Sequence, residues 1–413
     1  MRRLKYLVAV SVAIIIVGCG GRGSGREVEN GVFQIKEKDI IALDRSLDGV
    51  MVESWEPVFL EDSKEALIAD LKGEIMYDDG LFFIGSRQRS TSEIKVFDSA
   101  GHYLHDISHQ GRAEYEYLGI AEWTLDPVRN EVLVIDSESS YQIKYYDYSG
   151  KFLRMLDLGD EYSAWSYGME PVCLSDGTLL LHNPLCLYQC PEYVTIHPDG
   201  TVDSPFELTE DKIIGEESRY YGGVAMGWKY YNPNGDEVWL TRRFDNHLYK
   251  LVASDSVQCM ADIAFIGEVS EKIRQGLDVE NRGVMESISE FILAECRNFK
   301  DYFSFQYVGR PPMLFDKTTC KTYQFNENDS TAYLPKYYEW QNSSVNGNDW
   351  IVFLEPQLVE KQNEFINGSE YDGRYSKEIE EFFREASKTE NVVLLVLHLR
   401  SPEKEWTMPY RLK

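Results

Sequence analysis

The sequence predicts an all-β protein, a six-bladed β-propeller of four-stranded antiparallel blades. Its ring is closed by N- and C-terminal strands, and it carries two helical insertions. Three observations lead there. The first is a repeat: Ile94-Lys95-Val96-Phe97-Asp98-Ser99-Ala100-Gly101 recurs as Ile143-Lys144-Tyr145-Tyr146-Asp147-Tyr148-Ser149-Gly150. A third copy runs from Tyr193 to Gly200, and a weaker fourth is His247-Leu248-Tyr249-Lys250-Leu251. The second is a turn rich in Asp, Asn and Gly that precedes a short apolar strand upstream of each hairpin. Asp78-Asp79-Gly80, Arg129-Asn130, Asp176-Gly177, Asn234-Gly235-Asp236 and Asn348-Asp349 are its instances. The third is an isolated strand pattern at each end of the repeating region.

Each repeated hairpin reads as a strand, a tight Asp/Gly turn and a returning strand. Joined to the upstream element, it makes four short strands in about fifty residues, the period of a propeller blade. Units then begin near residues 66, 117, 167, 224, 300 and 335. A ring must close, and residues 55–60 are expected to pair beside residues 391–398, which removes two exposed edges. Two stretches break the strand rhythm. Residues 283–297 place Val284, Met285, Ile288, Phe291 and Ile292 at helical spacing, and residues 376–388 do the same with Ile379, Phe382 and Phe383.

The first complete unit carries a further pattern: Gln110-Gly111-Arg112-Ala113-Glu114-Tyr115, then residues 120–126, then Val134-Ile135-Asp136-Ser137, then residues 143–150. This resembles an NHL-type blade, with Ala113-Glu114 where that family prefers Gly-Pro-Gly. Val58-Phe59-Leu60-Glu61, Leu334-Pro335-Lys336-Tyr337-Tyr338 and residues 391–397 extend the resemblance. Over nearly the whole mature chain it is similar to six-bladed propeller lipoproteins of unknown function from Gram-negative bacteria. The resemblance implies the fold and brings no established activity.

The N-terminus reads as an address. Arg2, Arg3 and Lys5 precede an apolar run from Leu7 to Val17, too short for an ordinary transmembrane helix and the size of a signal-peptide core. Ile16-Val17-Gly18-Cys19 resembles a bacterial lipobox, which implies cleavage before Cys19 and lipidation of that residue; a plain secretory signal is the alternative. The expected organisation is a signal peptide over 1–18, a lipidated cysteine and flexible tether over 19–48, and the propeller over 49–413. The expected location is the outer membrane, facing the periplasm or the cell surface.

Composition narrows the partners. Lys plus Arg total 42 against 69 Asp plus Glu, a net charge of −27. Nucleic acid needs a basic face that such a chain lacks, and a polybasic hold on anionic lipid is disfavoured for the same reason. The expected partner is a cell-envelope protein or glycan, with membrane attachment through the N-terminal lipid.

Candidate chemistry is sparse. Cys186 and Cys190, in a loop between prolines, are the expected local disulfide pair. His182, Cys186, Cys190 and His197 would be zinc ligands of suitable type at a spacing that matches no zinc signature. His102, His105 and His109 lie on a turn and its strand, where alternation puts only His105 and His109 on one face. Asn232-Pro233-Asn234-Gly235-Asp236 lacks the closing Glu of a calcium loop and reads as a hairpin turn. The inner strands are expected to bring Glu122, Glu170, Lys229, Gln306 and Glu339 toward the propeller axis. These serve either as channel-lining polar groups or, with a divalent ion, as the site of a metal-dependent hydrolase or lyase of lactonase type. No catalytic residue and no cofactor is assigned. The dense aromatics, 27 Tyr and 8 Trp, are expected mainly between blades, with a minority serving recognition.

Overall fold

The computed structural model describes residues 28–29, 32–43, 51–88, 91–137, 142–158, 171–182, 192–206, 231–234, 237–242, 246–264, 293–307, 310–326, 343–369, 371, 373 and 375–400. These form six antiparallel sheets arranged as blades around a ring. Blade one is built from Leu71–Asp78, Leu81–Gln88, Thr91–Asp98 and Tyr103–Ile107. Blade two uses Ile120–Asp126, Glu131–Asp136, Gln142–Asp147 and Phe152–Asp157. The third is Val172–Cys173, Leu179–His182, Tyr193–Ile196 and Val202–Asp203. Tyr231–Asn234, Glu237–Leu240, His247–Ala253 and Ser256–Asp262 make the fourth. Leu293–Asn298, Tyr302–Tyr307, Met313–Asp316 and Thr322–Gln324 make the fifth. In each, the first strand meets the first strand of a neighbouring blade, so first strands ring the axis and fourth strands form the rim.

Blade six is made from both ends of the chain. Ser343–Asn346, Asp349–Leu354 and Val393–Leu399 are followed at the rim by the N-terminal Val52–Phe59. The expected closure is present, with Trp55 opposite Leu397, Val58 opposite Leu394 and Phe59 opposite Val393. Pro57 lies within this rim strand, where a missing N–H is tolerated. Asn391 fastens the join. Fully buried, it donates to the carbonyls of Glu61 (2.8 Å) and Ala66 (3.0 Å) and accepts from the Ile68 amide (3.1 Å).

The repeated turn has a single geometry. Asp98 Oδ1 accepts from the amides of Ala100 and His102, and Asp147 Oδ1 accepts from those of Ser149 and Lys151, all at 2.9 Å. Gly101, Gly150 and Gly200 follow at φ of 88°, 85° and 87°. A type I turn ending in a left-handed residue favours glycine there, and the register shifts it introduces are seen beside Phe97 and Tyr146. At Gly101 space matters too, since a Cβ would lie 2.3 Å from the carbonyl oxygen of Phe59 in the closing strand.

Helices differ from expectation in part. The segment expected over 376–388 is helix α2, Lys377–Ala386, preceded by α1, Pro356–Asn367, which the strand reading passed over. Both are inserted between the second and third strands of blade six. Ser376 caps α2 by accepting from the Ile379 amide, and Ile379, Phe382, Phe383 and Ala386 are buried in one core with Val359 of α1. Of the helix expected over 283–297, residues 283–292 lie outside the described residues, and 293–297 belong to the strand Leu293–Asn298. Pairing of Cys296 with Phe305 and Arg297 with Ser304 overrides the helical spacing there.

The tether expected over 19–48 is also corrected. Val28–Glu29 and Val32–Gln34 form a hairpin whose second strand runs parallel to the rim strand of blade four, and Ile41–Ala42 runs parallel to that of blade five. Residues 28–29 and 32–43 therefore form a strap that covers two rims before Val52–Phe59 completes a third. Ile35 is buried beneath it, and Phe33 packs on Phe315 at 5.5 Å. Short apolar pairs among charges escape a periodicity reading, whereas open rim strands supply the backbone partners that order them.

Candidate functional site: the long-connection face

Strands that alternate in direction sort the connections. The turns joining first to second and third to fourth strands all fall on one face of the ring. The links between second and third strands, and between blades, all leave from and return to strand ends on the other. The first set is short throughout, while the second contains every long connection and both helices.

On the tight-turn face several polar side chains hold neighbouring blades together. Tyr148 Oη donates to Asp78 between blades one and two (2.6 Å), and Arg129 reaches the Asp176 carbonyl between two and three (2.9 Å). Between blades four and five, Lys317 Nζ donates to Glu237 (2.9 Å), Asn298 (2.5 Å) and the Phe299 carbonyl (2.7 Å), 5.0 Å from the Trp239 ring. Burial pushes the Lys317 ammonium down, and Glu237 opposes it. Burial raises the Glu237 carboxyl, but the bond and charge of Lys317, the Trp239 N–H and the Lys250 charge together outweigh it and hold the carboxyl low. Asn348 and Asp301 exchange two bonds between blades five and six. A cavity of about 80 Å³ lies between blades two and three, lined by Asp126, Arg129, Tyr145, Arg154, Gly177 and Pro198. Its charges are neutralised in pairs, Arg129 with Asp126 at 2.8 Å and Arg154 with both oxygens of Glu131 at 2.7 Å. The volume suits two or three waters, far below a small-molecule site.

The long-connection face is built differently. In blades one and two a buried lysine at the same repeat position fixes the incoming linker. Lys95 Nζ donates to the Glu65 carbonyl (2.6 Å) and pairs with Glu93 (2.9 Å) and Asp106 (3.1 Å). Lys144 Nζ donates to the Glu116 carbonyl and pairs with Asp136 at 3.1 Å, both partners of that pair being almost wholly buried. Strand alternation carried this signal, a lysine flanked by core residues in each hairpin copy, yet charge in a strand reads first as a solvated position. The linker before blade two presents Tyr115 (50% exposed) and Leu118 (36%) to solvent.

Between blades three and four, Glu192 accepts from Arg242 Nε at 3.2 Å and lies 3.9 Å from His182 Nε2, with both His182 and Glu192 buried. Arg242 stacks over Phe206 at 4.5 Å, and Tyr193 Oη donates to the Thr241 carbonyl at 2.5 Å. In blade six, α2 turns its apolar side inward and exposes Glu378, Glu381, Arg384 and Glu385. This face thus offers aromatic edges, arginines such as Arg242 and Arg384, and an acidic helix around its perimeter.

Of the five expected axial residues, Glu122 lies on the first strand of blade two, opposite Ile135. Gln306 is on the second strand of blade five and donates to the Arg310 carbonyl at 3.0 Å, one strand farther from the axis than expected. The displacement follows from the misread helix, because Leu293–Asn298 takes the innermost place. Glu170, Lys229 and Glu339 lie outside the described residues, as do Cys19, Cys186 and Cys190. Cys173, Cys259, Cys296 and Cys320 form no disulfide with one another. His182 pairs with Tyr193, so His197 stands four residues along the same strand, about 13 Å away. That separation is too long for both to bind one zinc ion. His102, His105 and His109 take separate partners: Asp98 at 3.0 Å, the Tyr148 carbonyl at 2.8 Å and the Gly150 carbonyl.

A closed ring of six four-stranded blades with its helical insertions on one face defines a β-propeller. The chain belongs to the family described as a domain of unknown function, DUF4934, whose model matches residues 45–398. No curated protein matches the sequence. Among solved structures, it is similar to a protein described as exported from Bacteroides fragilis, at 15% identity and a TM-score of 0.60, covering 88% of this chain and 100% of that one. A DUF4221 family member from Bacteroides vulgatus matches at 9% identity and a TM-score of 0.48, over 84% and 97% of the two chains. A protein titled a gluconolactonase matches at 8% identity and 0.39, over 87% and 99%. Likeness at these identities extends to the fold.

Proposed function

We propose that this protein is a lipid-anchored propeller of the cell envelope that binds a protein or glycan partner through its long-connection face. One observation carries the reading: the tight-turn face carries short turns throughout, several of them tied between blades, while the long connections start and end on the opposite face, which also bears the acidic helix α2. The lipobox-like Ile16-Val17-Gly18-Cys19 supports lipidation of Cys19 and an outer-membrane location. The exported B. fragilis neighbour is in keeping with secretion.

The test is affinity capture from solubilised envelopes and on immobilised glycans, using the mature protein. Glu378→Lys/Glu381→Lys on α2 is compared with Asp255→Lys on the tight-turn face. Capture of a defined partner that the α2 variant loses and the Asp255 variant keeps supports the reading. Equal capture by both variants, no partner at micromolar concentration, or metal-stimulated hydrolysis of a lactone substrate would overturn it.

A further inference from the structure

The strap fixes where the chain leaves the propeller, and with it how the ring sits against a membrane. Val28–Glu29 is the outermost of six strands in the blade-four sheet, in the order Val28–Glu29, Val32–Gln34, Ser256–Asp262, His247–Ala253, Glu237–Leu240, Tyr231–Asn234. The chain thus departs at the rim, farther from the axis than any four-stranded blade reaches. Only nine Cα steps separate Val28 from Cys19. Fully extended, they span about 32 Å, and as a Gly-rich coil roughly 15–18 Å.

Resting on the lipidation of Cys19 proposed above, we infer that the rim of blade four faces the lipid surface and that the ring stands on edge. Blade one is three positions away in a ring of six and lies opposite. Five strand spacings in blade four and three in blade one place the two rims about 40 Å apart before the channel is counted. A tether fixed at the blade-four rim draws that rim, and not the opposite one, to the bilayer. Lying flat on the long-connection face would press the exposed Glu378, Glu381 and Glu385 of α2 against lipid phosphates, a like-charge contact. On edge, both faces stay open to partners, and the rim strands of blades one and two, with Leu104 and Leu153 exposed, point away from the membrane.

The experiment uses the full lipidated protein in vesicles of phosphatidylethanolamine and phosphatidylglycerol containing a headgroup-attached acceptor dye. A click-reactive residue carries the donor at Gln258 on the blade-four rim, Leu104 on the blade-one rim, or Glu381 on α2. Energy transfer is expected to be strongest from Gln258, intermediate from Glu381 and several-fold weaker from Leu104. Inserting twelve Gly/Ser residues after Gly21 is expected to lower the Gln258 signal. Equal transfer from Gln258 and Leu104, or strongest transfer from Glu381, overturns the edge-on arrangement in a protein whose mass shows the acyl chains. A mass without acyl chains overturns the lipidation reading, and the orientation falls with it.

Discussion

Blades one and two hold themselves together by local means, whereas blades four to six depend on chain from elsewhere. In the first pair, hairpins end in an Asp-capped turn with a left-handed glycine, and Lys95 and Lys144 tie each blade to the linker before it. Among the described residues no further strand joins their rims, and Leu104 and Leu153 are exposed. In blade five Cys320 takes the left-handed place at φ 52°, and Met313 stands where the repeat has lysine. Here the strap and the closing strand cover the rims instead. Where the local turn code weakens, long-range strand pairing takes over the same task of protecting edges.

The strongest way to break this contrast is to remove a clamp. Lys144→Met strips the cation from Asp136, which is 1% exposed, so a cost of about 3–5 kcal/mol is expected in a denaturant titration. Asn391→Ala leaves the Glu61 and Ala66 carbonyls and the Ile68 amide unpaired at the ring closure. A loss of about 3 kcal/mol should appear in the same titration, with early hydrogen exchange over residues 52–68. Smaller values in both would mean that closure and clamps matter less than hydrophobic packing.

Glycines sharpen the comparison. Gly101→Ala meets both a left-handed backbone and the Phe59 carbonyl, so about 2–3 kcal/mol is expected; Gly80→Ala meets only the backbone term, about 1 kcal/mol. Equal melting shifts would show that the turn does not bear on the closing strand. The smallest effect concerns pH. Burial opposes ionisation of Asp147, but hydrogen bonds from Ser149 and Lys151 outweigh it and hold the carboxyl low. Its contribution is complete above the unfolded carboxylate value near about 3.9 and is lost as pH falls through the lower folded value. Asp147→Asn should flatten the pH dependence of the melting temperature below that value, while at higher pH the curve runs parallel to that of the parent protein.

Much of the ring was legible because its signals are local. Asp98 and Gly101, repeated at Asp147 and Gly150, report a turn whatever surrounds them. The amphipathic side of α2 was visible for the same reason. The strap was not, since Val32–Gln34 and Ile41–Ala42 are strands only because a rim strand lies beside them. Leu293–Asn298 carried helical spacing and became the innermost strand through its pairing with Tyr302–Tyr307. Of the candidate site, the expected axial set reached the inner ring at Glu122, while Gln306 fell one strand short.

By itself the sequence determined the blade, its turn, the closing of the ring and the acidity of its surface, because period, glycine and charge act over a few residues. Tertiary structure alone decided which face gathers the long connections, which lysines are buried and where the N-terminal chain leaves the rim. Those depend on the direction and neighbours of each strand, and residues distant in sequence supply them.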